Sequence, residues 1–181
     1  MEYFMPRLTS ARKAHVGCVS MVLSFLFSLG SPAWGDARGP VYIAGPAGWT
    51  QVPQSAFAAE PNVVAAWIAP PDTVSPFKQN VNFMRATTTT GSVTSDVAGN
   101  IREIQNVEPG VTVLENRANK RCLSNSSRVA VYSLQRDGRR LVVEQVFTLA
   151  SGALFIATYS RDSLQPAVSA ATRSVEGMCP L

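Results

Sequence analysis

Apolar and polar residues alternate along some stretches of this chain and recur every three or four residues along others, and the change of rhythm marks its elements. Residues 77–88 alternate, with Phe77, Gln79, Val81 and Phe83 on one side and Lys78, Asn80 and Asn82 on the other. That pattern predicts a half-buried strand. Residues 62–69, NVVAAWIA, form a nearly continuous apolar run stopped by Pro70-Pro71 and predict another. Residues 41–43 and 49–52 read as short extended segments around the Pro46-Ala47-Gly48 turn. Further along, residues 111–117, with a continuation toward 122, start a run of strands. Residues 128–135 and 139–149 flank Asp137-Gly138, a dipeptide that suits a two-residue hairpin turn. Residues 153–160 follow a second turn at Ser151-Gly152.

Two stretches carry the helical period. In the first, Val93, Val97, Ile101 and Ile104 make one apolar stripe. Ser92 or Thr94 is placed to cap it, Asp96 suits the first-turn dipole, and Pro109-Gly110 stops it. Gly99 weakens its middle. The second is expected to start at Asp162 or Ser163, where Asp162 and Gln165 resemble a capping box. Its stripe is Leu164, Ala167, Val168, Ala171 and Val175, and Gly177 is the expected residue just past its end. The order is strands, helix, strands, helix. Short turns between consecutive strands imply an antiparallel sheet. The expected fold class is α+β: a sheet of about six strands covered by two main helices, an α-β-α sandwich.

The first 35 residues have a different character. Arg7, Arg12 and Lys13 precede the apolar run of residues 16–29, which breaks at Gly30-Ser31-Pro32. Ala33 and Gly35 put small residues at −3 and −1 of a cut before Asp36. The run is about 14 residues, shorter than the roughly 20 that cross a bilayer, so a cleaved secretory signal is expected. The reading is a signal peptide over 1–35 and a single domain over 36–181, periplasmic or secreted. Membrane contact is expected only through the signal before cleavage. Losing Glu2, Arg7, Arg12 and Lys13 lowers the formal net charge from +4 to +2, too little to imply nucleic acid as a partner.

Export also decides the cysteines. Cys18 leaves with the leader, and Cys122 and Cys179 remain as an even pair in an oxidising compartment, predicting a disulfide. Closing a loop of that length contributes about 4 kcal/mol in the chain-entropy account.

Candidate chemistry narrows by exclusion. The single histidine, His15, lies in the leader. The domain therefore has no Ser-His-Asp or Cys-His nucleophile system and no His-bearing zinc site, and two cysteines cannot make a Cys₄ site. Ser75-Pro76-Phe77-Lys78 matches an S-x-x-K pattern formally. That motif needs a helix, and Pro76 followed by a strand pattern argues against one. Phosphate-binding and nucleophile-elbow glycine motifs are missing from the sequence, and no cofactor is expected. Glu103, Glu108, Glu115 and Glu144 are scattered and read as solvated acids. The one concentrated feature is basic: Arg117, Lys120, Arg121, Arg128, Arg136, Arg139 and Arg140, opposed only by Asp137. It reads either as a surface for an acidic protein or anionic envelope component, or as edge-strand protection and hairpin solvation. Trp67 and Trp49 read as core residues. Asn125-Ser126-Ser127 fits a glycosylation sequon.

The Pro46-Ala47-Gly48-Trp49 stretch before a strand, the Asn80-Val81-Asn82-Phe83 stretch, the helix that follows, and then strands and a C-terminal helix together resemble the exported PsbP-like and DcrB-like α-β-α sandwich superfamily. The resemblance spans residues 40–178. It implies an accessory, assembly or envelope role, mostly without catalysis, and supplies no functional residues to carry over. A divergent cystatin-like or NTF2-like α+β fold is the alternative. The function expected is an exported non-catalytic accessory or binding domain. The alternatives are a small-ligand carrier with a cavity between sheet and helix, and a His-free hydrolase using carboxylates.

Overall fold

The computed structural model describes residues 40–108 and 110–181; the expected signal peptide and the expected cut after Gly35 lie outside the described residues. Along the chain come β1 (Thr50–Gln51), β2 (Val63–Ile68), β3 (Asn80–Arg85), α1 (Val93–Val107), β4 (Thr112–Ala118), β5 (Ser127–Arg136), β6 (Arg139–Ala150), β7 (Ala153–Asp162) and α2 (Ser169–Glu176). A 3-10 turn over Gln54–Phe57 links β1 to β2. The strands form one antiparallel sheet in the order β1-β2-β3-β7-β6-β5-β4. Seven strands are present where the pattern predicts about six.

The long β5–β6 hairpin follows directly from its turn. Asp137 and Gly138 both have positive φ, 51° and 73°, the geometry whose twist matches that of the flanking strands. Register then sorts the side chains. Leu141, Val143 and Phe147 of β6 face one way with Tyr132, Ala130, Leu154 and Ile156, whereas Val146 faces the other way with Val129 and Ala157. Each helix takes one of these faces. Val93 and Val97 of α1 pack among Ala130, Phe147, Leu154 and Ile156, and Ile104 packs among Tyr132, Leu134, Leu141 and Val143. On the opposite face, Ala171 and Val175 of α2 join Val81, Phe83, Val129, Val146 and Ala157 in the largest core cluster. The sheet is thus enclosed between two helices, one per face.

Several expectations are corrected. Residues 41–43 do not form a strand; Val41 makes a single bridge to Pro180. Phe77 lies outside β3 and joins the α1-side cluster, while Val81 and Phe83 face α2, so the alternation does not extend back to Phe77. β4 ends at Ala118, well before Cys122. α2 begins at Ser169, not at Asp162 or Ser163. Asp162 is the last residue of β7. Its backbone N–H donates to Gln165 Oε1 (3.0 Å), and its carboxylate accepts from the Leu164 N–H (3.0 Å). The first is one half of a capping box and the second an Asx-turn bond, with no helix behind them, because Pro166 disfavours helical backbone at Gln165. Leu164, expected in the stripe, is 72% exposed. Gly177 has φ −77°, so it does not adopt the left-handed conformation; a Cβ there would sit 2.8 Å from the Arg173 carbonyl oxygen.

Ser92 caps α1 by accepting from the Ser95 N–H, and Asp96 accepts from the Thr89 hydroxyl and the Thr90 N–H. α2 has eight residues and no side-chain cap at its start. A helix that short is marginal by itself and depends on its packing. The predicted disulfide is present: Cys122 and Cys179 are joined across 57 residues. It ties the segment just past α2 to the β4–β5 loop. Changing both cysteines to Ser should lower unfolding free energy by about 2–5 kcal/mol. Urea denaturation followed by circular dichroism would measure the loss, and an unchanged midpoint would show that packing alone secures the helix.

Candidate functional site

On the α2 face the four strands β4-β5-β6-β7 present two kinds of rows. The row of Val129, Val146 and Ala157 lies under α2 and is apolar. The neighbouring row carries Glu115, Val131, Glu144 and Tyr159, one from each strand in register. Val142 and Arg161 form the next pair along. Because α2 is short, this second half of the face stays open. It forms a cleft of about 220 Å³ whose walls include Arg117 and whose rim includes Ala167 and Thr172.

Glu144 sits in the floor between Val131 and Tyr159. Its Oε2 accepts a hydrogen bond from the Thr172 hydroxyl at 3.3 Å. Its Oε1 is out of contact with solvent and has no hydrogen-bond partner among the described residues. Burial, reinforced by the negative charge of Glu176, pushes the Glu144 carboxyl up to about 7. The expectation of a solvated acid at Glu144 is corrected: the strand places it on a covered face.

The other charges around the cleft are largely satisfied. Glu176 of α2 accepts from Arg117 Nη2 at 2.6 Å and from Arg121 Nε at 2.7 Å. Burial works to raise the Glu176 carboxyl, but the two guanidiniums outweigh it and hold it below the ordinary value. Arg117 Nε also donates to Glu115 at 2.9 Å, and these contacts, first that with Glu176, raise its own pKa. The Tyr159 hydroxyl is fully engaged: it donates to Gln79 Oε1 and accepts from the Val168 N–H at 3.0 Å. Burial raises its pKa, and its task is to hold the segment leading into α2. Arg161 Nη1 donates to the carbonyls of Gln165 (2.7 Å) and Asp162 (3.4 Å). Its Nε and Nη2 are without partners among the described residues.

The seven basic residues of the sequence cluster do not make one patch. β5 is ten residues long, about 30 Å, and separates them. Arg117, Lys120, Arg121 and Arg128 lie toward the disulfide end of β5, and Arg136, Arg139 and Arg140 lie at the hairpin. Arg136 pairs with Glu108, Arg128 donates to the Asn116 side-chain carbonyl, and Arg140 donates to Ser133. Lys120 and Arg139 are exposed. Ser75 does not face Lys78 as an S-x-x-K pair would require. Its hydroxyl donates to Asp162 at 2.7 Å and accepts from the Phe77 N–H, and Lys78 is exposed. Trp67 packs edge-to-face on Phe83 and Trp49 on Tyr159; both indoles are partly buried against the core. Among the described residues, no group of three or more His, Cys, Asp or Glu could hold a metal ion, and no helix is long and apolar enough to cross a membrane.

Fold and site together define an α+β domain with a helix on each face of an antiparallel sheet and a cleft beside the shorter helix. No family model matches the chain, and no curated protein matches it. Solved structures with partial likeness include PA94 from Pseudomonas aeruginosa, a protein of unknown function, at 18% identity and a TM-score of 0.46, covering 69% of this chain and 85% of that one. LpqN, involved in cell envelope biogenesis of Mycobacterium tuberculosis, matches at 14% identity and 0.45, covering 75% and 79%. Human STARD10 matches at 10% identity and 0.32, covering 71% and 66%.

The environment of Glu144 makes stability depend on pH. A carboxyl at about 7 when folded, against the ordinary 4.5, binds its proton more tightly in the folded state. Stability therefore falls as pH rises from 4.5 through 7, by up to roughly 3 kcal/mol at full ionisation. Glu144→Gln, which mimics the protonated form, should flatten that fall. Urea midpoints at pH 5, 6, 7 and 8 for both proteins would check it; parallel curves would refute the assignment to Glu144.

Proposed function

We propose that the chain is an exported, non-catalytic binding domain whose ligand site is the cleft beside α2. The observation that carries this reading is the incomplete cover of the α2 face. An apolar floor of Val131 and Val142 is bordered by charged groups, and a carboxylate oxygen with no partner lies in that floor. The lining is mostly polar and charged, with Val131 and Val142 as its apolar part, which suits a small polar ligand. Export is supported by the leader pattern and by the disulfide, which suits an oxidising compartment. An accessory or envelope role is supported by the resemblance to PsbP-like and DcrB-like domains. The basic residues are divided between two ends of the sheet, so a single basic docking surface is no part of this proposal.

A hydrolytic reading has one observation in its favour, the Glu144 carboxyl at about 7, which suits a general acid. A carboxylate hydrolase needs a second free acid facing the first. Glu115, across Val131 in the same row, is engaged by Arg117. Binding is therefore the better-supported role.

Native mass spectrometry of the protein recovered from the exported fraction should show a small-molecule adduct. Val142→Phe, which fills the floor of the cleft, should remove that adduct while leaving circular dichroism unchanged. An adduct that persists in the folded variant would move the ligand elsewhere, and its absence from the unaltered protein would leave the cleft without an occupant and refute the reading.

A further inference from the structure

Three features of the cleft restrict what it accepts. Glu144 Oε1 lacks a hydrogen-bond donor in a place that water does not reach. A buried acceptor in that condition is destabilising until a donor arrives. Glu144 also lines the cleft, and its Oε2 meets only the Thr172 hydroxyl, a neutral donor that does not balance a carboxylate charge. Second, Arg161 lines the same cleft with Nε and Nη2 donating to nothing among the described residues, while its Nη1 is fixed on two carbonyls. A guanidinium edge held in place in this way is suited to an anion such as a carboxylate. Third, the register sets the spacing between the two. Glu144 pairs with Tyr159 and Val142 pairs with Arg161, so Glu144 and Arg161 are diagonal neighbours on one face, about 7–8 Å apart at their origins. Val142 and Val131 supply apolar floor near them.

We propose that the cleft binds a small zwitterion, with its ammonium group on Glu144 and its anionic group on Arg161. The inference rests on the binding reading above and adds the chemical class of the ligand. Net charge agrees with it. The groups facing Glu144 are Glu115 and Arg117 from β4, Tyr159 and Arg161 from β7, and Thr172 and Glu176 from α2; β5 contributes the uncharged Val131. Arg117 is shared by Glu115 and Glu176, and Arg121 completes the neutralisation of Glu176. Glu144 and Arg161 are then left as one acid and one base without charged partners, which a zwitterion satisfies together. An ammonium ligand favours the ionised carboxylate, so binding expels a proton from Glu144 and strengthens as pH rises through 7.

The test uses three probes on the ¹⁵N-labelled domain: 4-aminobutyrate, which carries both charges, and n-butylamine and butyrate, which carry one each. Amide shifts of Val131, Val142, Glu144 and Thr172 report occupancy. The zwitterion should bind more tightly than either half, and about tenfold more weakly at pH 6 than at pH 8. Glu144→Gln should abolish the pH dependence and weaken 4-aminobutyrate and butylamine alike, with little effect on butyrate. Circular dichroism of that variant confirms that it is folded. Butyrate binding as tightly as the zwitterion, or Glu144→Gln leaving affinity unchanged, would overturn the zwitterion inference while leaving a binding cleft in place. No shift with any probe would overturn the inference as well, and the adduct experiment would still judge the binding reading separately.

Discussion

Everything on the α2 face depends on how the C-terminal segment is fastened to one end of the sheet. The Cys122–Cys179 bond is one part of that clasp. Around it, Asn119 Nδ2 donates to the Glu176 carbonyl at 2.8 Å and to Ser127 Oγ at 3.1 Å, and the Thr148 hydroxyl donates to the Met178 carbonyl at 2.7 Å. Arg117 and Arg121 hold the Glu176 carboxylate from the strand and loop side. The N-terminal end of the domain is drawn in as well: Tyr42 N–H donates to the Cys179 carbonyl and Leu181 N–H to the Pro40 carbonyl. The free carbonyls at the end of a helix ordinarily need partners. Here Asn119 of the β4–β5 loop takes the Glu176 carbonyl and Thr148 of β6 takes the Met178 carbonyl just past the helix, so the end of α2 and its anchor share the same bonds.

That anchorage determines what is covered. With its end fixed over Val129, Val146 and Ala157, an eight-residue helix meets the row of Val131, Glu144 and Tyr159 only at its edge, through Thr172 on Glu144, and leaves the far side of that row lining the cleft. The stretch before it, held by the Tyr159 hydroxyl and by Gln165 donating to the Phe77 carbonyl, stays along the rim. The cleft is thus a consequence of helix length and clasp position together. Glu144 is close enough to α2 to lose solvent and to feel the charge of Glu176, yet it meets only the Thr172 hydroxyl. Its raised pKa and its unpartnered oxygen both follow from lying at the boundary between the covered and uncovered halves.

The opposite face has no such ambiguity. α1 is fifteen residues long, and its stripe, Val93, Val97, Ile101 and Ile104, covers a continuous apolar area of β5 and β6. Its far end is fastened by Arg136 of the hairpin on Glu108. A residue from the supposed basic patch therefore works as a structural tie, as Arg117 and Arg121 do at the other end. Arginines in one stretch of sequence were separated in space because a ten-residue strand carries them apart.

Local physics was readable in the chain. The periods of two and of 3.6 placed the main strands and α1, Asp137-Gly138 placed the central hairpin, and the cysteine count with the expectation of export pointed to the disulfide. Each of these is decided by neighbours within a few residues or by composition. The pairing of β3 with β7 and the turn of Phe77 toward α1 were not readable, because each depends on segments distant in sequence, whereas the late start of α2 follows from Pro166 next to Gln165 and is local. Glu144 is the instructive case. Val142, Glu144 and Val146 share one side of a strand whose other side is also apolar, so an acid on a covered face was visible in the alternation. What surrounds it was not. Whether that carboxyl is solvated or buried depends on where α2 stops, and only the closing of the C-terminal clasp in three dimensions decides that.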